Sequence, residues 1–161
     1  AASSSGEEVY SILLTILENV PNIRAFDFKM LATDISKKML EIAESGIYPN
    51  DRLTTVPPEM LKKYFVDIGK EKKKIKDIVK EFVRFRYFNL LSEPYPFSKQ
   101  FDFIFCRNVI IYFDRPTQQR LINKLYDYLK VGGYLLVGHS ESLTGIEHPL
   151  KFVMPTIYIK E

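Results

Sequence analysis

Strand-length apolar segments alternating with helical ones predict an α/β fold. Its core is a mostly parallel sheet with helices on both faces and a terminal antiparallel hairpin. Three observations carry this. The runs Lys29–Ile35, Phe82–Phe88, Phe101–Phe105 and Tyr134–Val137 have the length and apolarity of buried strands. Segments with apolar residues three and four apart lie among them. The last apolar stretches flank Pro155, the pattern of a hairpin at the end of the chain.

The elements follow in order. Val9, Ile12, Leu13, Ile16, Leu17 and Val20 recur on one helix face, Glu7 and Glu8 occupy its first turn, and Pro21-Asn22 ends it. The run Lys29–Ile35 reads as a buried strand closing on Asp34. Ser36 caps a second helix through Met39, Leu40 and Ala43 to Ser45-Gly46. Residues 47–81 break the strand–helix rhythm and read as an inserted β-subdomain. Within it Pro57-Pro58 opens a short helix, Asp67-Ile68-Gly69-Lys70 reads as a loop, and the lysines from Lys70 to Lys80 read as a solvated face. Phe82–Phe88 alternates apolar and basic residues, and Asn89-Leu90-Leu91 follows. Pro116 sits in the first turn of a helix carrying Leu121, Ile122, Leu125, Tyr128 and Leu129, which Gly132-Gly133 is expected to stop.

The 161 residues suffice for one domain with a core, and 46% hydrophobic with 27% charged residues is the balance of a folded soluble domain. A net charge of +3 is too mild to call for a nucleic-acid partner. The single cysteine, Cys106, cannot form an intrachain disulfide, which suits a cytoplasmic location. His139, His148 and Cys106 make a poor zinc set. No apolar run approaches the roughly 20 residues of a membrane span, so no membrane insertion is expected.

The polar residues of interest fall where strands end, which is where open α/β sheets bind ligands. Ser5-Gly6-Glu7-Glu8 enters a helix through a small-residue loop. The glycine allows close backbone approach, and the glutamates suit an ammonium better than a phosphate. As a structural feature alone, the same stretch is a capped helix start. Asp34 ends its strand 28 residues after Gly6, a position from which a carboxylate can accept hydrogen bonds from ribose hydroxyls. It can equally be a surface acid. Asn89 can bond an adenine edge while Leu90 packs on its face, or the pair can be an ordinary turn. Phe105-Cys106-Arg107-Asn108-Val109-Ile110-Ile111-Tyr112-Phe113 runs from an apolar strand into polar groups that need partners. Gly138-His139-Ser140-Glu141-Ser142 nearly matches the hydrolase elbow G-x-S-x-G, but Ser142 replaces the last glycine. No suitable acid-then-histidine order follows Ser140, because His148 is close in sequence and expected on the same loop, which argues against a serine hydrolase.

Taken together, these blocks resemble the CheR family of chemotaxis-protein glutamate O-methyltransferases. The resemblance runs in order through Ser5–Ser11, Ala32–Ile35, Ser45–Tyr48, Asn89–Leu91, Phe105–Phe113 and Gly138–Ser142. It implies a class I, Rossmann-like methyltransferase domain over residues 1–161, with 47–81 as the family's inserted β-subdomain. It also implies that the family's first strand and an N-terminal helical domain are missing from this sequence, so that the stretch alone is a poor catalyst. The implied cofactor is S-adenosyl-L-methionine, leaving S-adenosyl-L-homocysteine as product. The implied partner is a methyl-accepting chemoreceptor whose glutamyl side chains are methylated.

Carried over residue by residue, Glu8 would hold the methionyl ammonium and Asp34 the ribose. Asn89 and Leu90 would contact the adenine side. Arg107 and Asn108 would line the pocket near the methionyl moiety, and Tyr112 would sit near the transferable methyl, with Tyr112 and Arg107 as the catalytic pair. Some family members grip a receptor tail peptide with a longer glycine-bearing loop, from which Phe65–Glu71 departs. Tight tether binding by 47–81 is therefore not expected. Two other classes compete. A Rossmann oxidoreductase needs G-x-G-x-x-G, of which only Gly6 is present. A non-catalytic module would bind S-adenosylmethionine or a receptor without turnover.

Overall fold

The computed structural model describes residues Ala1 to Glu161. The chain divides into two compact units, Ser3–Phe88 and Asn89–Glu161 with Ala1–Ala2.

In the first unit, helix α1 (Glu7–Asn19) starts from Gly6 and turns Val9, Tyr10, Leu13 and Leu14 into the core. The predicted face is thus rotated: Tyr10 and Leu14 are buried, and Ile12 and Ile16 lie at the margin. Tyr10 belongs inside because its ring meets Tyr48 and Phe85 while its hydroxyl donates to the Ala43 carbonyl at 2.8 Å. Strand β1 (Met30–Asp34) pairs in parallel with β5 (Val83–Tyr87), Met30 opposite Val83 and Asp34 opposite Tyr87. Helix α2 (Lys37–Ser45) follows β1. The Ser36 hydroxyl accepts from the Met39 N–H, and Gly46 closes the helix in the left-handed conformation, as the sequence predicts.

Between α2 and β5 the chain builds a three-stranded antiparallel sheet. Strand β4 (Lys72–Ile75) lies between β2 (Ile47–Pro49) and β3 (Phe65–Ile68), with the short helix α3 (Pro58–Tyr64) leading into β3 and α4 (Asp77–Lys80) following β4. Asp67 and Ile68 are therefore strand rather than loop, and the turn is confined to Gly69–Glu71. The lysines 72–74 belong to the middle strand of this sheet. Their periodicity was masked by charge, because lysine stems can lie along a sheet while the ammonium groups reach water.

In the second unit, β6 (Phe101–Cys106) and β7 (Leu129–Val137) run in parallel. The terminal hairpin β8 (Lys151–Met154) and β9 (Ile157–Ile159) extends the sheet antiparallel in the order β6-β7-β9-β8. Helix α5 (Arg115–Asp127) has Asp114 as its cap, accepting from the Thr117 N–H at 2.9 Å. It buries Leu121, Ile122 and Leu125 in a core shared with Ile104, Leu129, Leu135 and Val137. Gly132-Gly133 does not stop this helix. The helix has ended at Asp127, and both glycines lie inside β7.

Candidate functional site

Parallel strands leave their carboxyl ends free for ligand-binding loops, and each unit presents such an end.

In the first unit the loop Ser3–Gly6 lies against the end of β1. The Ser3 N–H donates to the Thr33 carbonyl at 2.8 Å, and the Gly6 N–H to the Ser3 carbonyl at 3.0 Å. Asp34 fastens this loop to both neighbours. Its Oδ2 accepts from the Ser4 N–H at 2.8 Å and its Oδ1 from the Ser36 N–H at 2.8 Å. Each carboxylate oxygen has two lone pairs, so one acceptor position per oxygen remains for a diol. The Ser3 hydroxyl is buried without a partner, a leftover donor on the same loop.

Gly6 is held at φ +91°, where an L side chain is strained. A Cβ there would come within 2.8 Å of the Ala43 Cβ. The absent side chain thus lets α1 begin close against α2. The Tyr48 hydroxyl secures the turn by donating to the Ser5 carbonyl at 2.7 Å. The two glutamates differ. Glu7 is engaged within the unit: the Ser5 hydroxyl donates to its Oε2 at 2.6 Å, and Arg52 reaches its Oε1 at 2.8 Å. Burial pushes the Glu7 carboxyl up, but the hydrogen bonds from Ser5, its own backbone and Arg52 outweigh it and hold the group below its ordinary value. Glu8, the residue assigned to the ammonium, is half-buried in the first turn of α1.

In the second unit Asn89 is exposed, with its Oδ1 accepting from the Leu91 N–H at 2.9 Å in an Asx turn. That leaves the side-chain amide NH2 as the group able to read a base edge. Leu90 is only 8% exposed, and its carbonyl accepts from the Tyr95 hydroxyl. It belongs to the wall of the core, and at most a small part of it can pack on a ligand.

Arg107 is half-buried and Asn108 exposed just beyond β6, and Tyr112 is 79% exposed at the end of a 3-10 turn, Ile110–Tyr112. Asn108 sits at φ +58°, the left-handed region that asparagine tolerates. The strand end is organised by a residue given no role from sequence, Glu141, which is 6% exposed. Its Oε2 accepts from the Gly138 and Asn108 N–H groups, each at 2.7 Å. Its Oε1 accepts from Val109 at 2.8 Å and Ile110 at 2.7 Å. Gly138 leaves room for this carboxylate, since a Cβ there would come within 2.6 Å of the Glu141 Oε2. His139 and Ser140 are exposed beside it, while His148 packs edge-on against Tyr158 at 5.6 Å.

The class follows from this arrangement. Parallel strands with a glycine-bearing loop at the head of α1 and a carboxylate at the end of β1 define a Rossmann-like α/β fold. Among solved structures the glycopeptide N-methyltransferase MtfA, determined with sinefungin, shares this fold. Its TM-score is 0.51 at 14% identity, over 84% of this chain and 40% of that one.

The chain belongs to the CheR methyltransferase family: the family model described as "CheR methyltransferase, SAM binding domain" matches residues 1–159. The chemotaxis protein methyltransferase of Borreliella burgdorferi is 46% identical over 161 residues, covering 99% of this chain and 56% of the relative. The protein of the same name from Escherichia coli is 37% identical over 161 residues, covering 98% and 56%. The chain thus spans little more than half the length of these relatives. Its cofactor is S-adenosyl-L-methionine, and the acceptors left over at Asp34 fit a ribose. No helix is long and apolar enough to cross a membrane.

Proposed function

We propose that the chain is the cofactor-binding part of an enzyme that methylates glutamyl side chains of chemoreceptors. The observation that carries this reading is the Asp34 carboxylate, tied to the glycine loop and to the α2 cap with acceptor capacity to spare. Asp34 takes the ribose hydroxyls. Glu8 offers a negative charge to the methionyl ammonium. The free NH2 of Asn89 addresses the adenine, with the edge of Leu90 beside it. Arg107 and Asn108 approach the methionyl moiety, and the exposed Tyr112 stands near the methyl and the incoming substrate. These roles come from the CheR motifs; the spare acceptor positions on Asp34 and the side-chain NH2 of Asn89 support two of them.

Bound S-adenosylmethionine supplies a methyl group activated by its sulfonium. The acceptor is a carboxylate with an unperturbed pKa of about 4.3, already ionised at neutral pH, so the protein needs no general base. Its residues have to align the carboxylate with the methyl carbon and exclude water from it. This accounts for a candidate site rich in hydrogen-bonding groups and poor in nucleophiles.

Methyl transfer to receptor glutamates is tested with the full-length protein, radiolabelled methyl donor and receptor preparations. Base-labile label on receptor glutamyl side chains supports the reading. Label absent from glutamates, with the donor bound, overturns the substrate assignment.

A further inference from the structure

The Gly138–Ser142 block is the one conspicuous sequence motif to which the proposed chemistry gives no part. Its glutamate is the most heavily engaged carboxylate in the second unit. Glu141 is buried, and its two oxygens meet the N–H groups of Gly138, Asn108, Val109 and Ile110 within 2.7–2.8 Å, with Ile111 at 3.4 Å. Successive N–H groups converging in this way make an anion-binding nest. Here the anion is part of the protein. The nest exists only because the chain turns sharply after β6, with Asn108 at φ +58°. An isolated turn of that kind has little to hold it, and a carboxylate accepting charge-assisted hydrogen bonds from consecutive residues supplies what is needed.

We propose that Glu141 is a positioning residue for the methyl-donor site, fixing the backbone from Asn108 to Ile110 and with it the places of Arg107, Asn108 and Tyr112. Gly138 is its necessary companion, because any side chain there would occupy the space of the Oε2 atom. The ends of the parallel strands β6 and β7, paired in the sheet as far as Cys106 and Val137, are thereby also joined beyond it by a side chain. Replacing the carboxylate by an amide is not neutral. The amide would set an NH2 group against N–H donors, leaving some of them unpaired and buried. This proposal rests on the reading of Arg107–Tyr112 as part of the donor site.

The test uses the chain of residues 1–161 and the variant Glu141→Gln. Without ligand, the amide resonances of Gly138, Asn108, Val109 and Ile110 are expected to move upfield in the variant and to exchange faster, while amides of β1, β5 and α2 stay in place. Calorimetry with S-adenosylhomocysteine is expected to show affinity reduced about tenfold or more. If Glu141→Gln does not fold, Gly138→Ala serves instead, since it keeps the carboxylate and displaces it from the same amides. Wild-type amide shifts and wild-type affinity in a folded variant overturn the proposal. Failure of the unaltered chain to bind S-adenosylhomocysteine counts against the donor-site reading, and the amide shifts still decide whether Glu141 holds the loop.

Discussion

The Asp34 Oδ2 accepts from the backbone N–H of Ser4 at 2.8 Å, joining the end of β1 to the glycine loop that opens α1. One carboxylate thus holds the loop and, in the proposed function, offers its remaining lone pairs to a ribose. Asp34→Ala removes both. S-adenosylhomocysteine affinity is expected to fall by about 1–3 kcal/mol, the scale of lost charge-assisted hydrogen bonds. Calorimetry of wild type and variant measures it, and equal affinities would remove Asp34 from the site.

Gly6→Ala is expected to destabilise the first unit by roughly 2 kcal/mol or more. The substituted residue would have to keep φ at +91° and press its Cβ against Ala43. Urea denaturation followed by circular dichroism checks this. A midpoint equal to that of the wild type would show that the loop relaxes at no cost.

The thiol of Cys106 is fully buried at the end of β6. Burial pushes it up to about 12, and the Glu141 charge adds to the rise. In the native chain at pH 8 it is expected to react with a thiol reagent far more slowly than in denaturant, where an ordinary thiol sits near 8.5. Rapid labelling without unfolding would contradict this placement.

Glu7 gives a pH-dependent contribution. Its folded value lies below the ordinary carboxyl value, so the ionised form is favoured by folding. The stability it adds is present above the unfolded pKa of about 4.3 and is lost as pH falls through the lower folded value. Glu7→Gln should be less stable than wild type at pH 7 by at most about 1 kcal/mol, because the Arg52 pair is partly exposed. The gap should close towards pH 3 in thermal melts, and a gap independent of pH would remove the ionised Glu7 from the loop's support.

Much of the fold was legible where local chemistry and tertiary structure agree. Ser36 and Gly46 bracket α2 because capping is a local matter, and β5 reads as a strand because its alternation puts Val83 and Phe85 inside and Arg84 and Arg86 outside. Gly132-Gly133 misled because glycine after an apolar helical pattern is the usual stop signal. Here the pair takes up a register shift: Phe101 faces Leu129, but Phe103 faces Tyr134. A side chain on Gly133 would come within 2.8 Å of the Lys130 carbonyl oxygen. Asp34 at the end of β1 and Gly6 at the head of α1 could be placed from the sequence. Glu141 could not, because its partners Asn108 to Ile110 lie about thirty residues away and its burial appears only in three dimensions. Leu90, read as a ligand contact, is drawn into the core by the bond between its carbonyl and Tyr95.

On the proposed reading this chain recognises the methyl donor and not another nucleotide. Calorimetric titration of residues 1–161 with S-adenosylhomocysteine, and in parallel with a nicotinamide dinucleotide, separates the two. Saturable one-site binding of S-adenosylhomocysteine with no heat from the dinucleotide is expected. Preference for the dinucleotide, or no binding of S-adenosylhomocysteine to a chain shown to be folded, would contradict it.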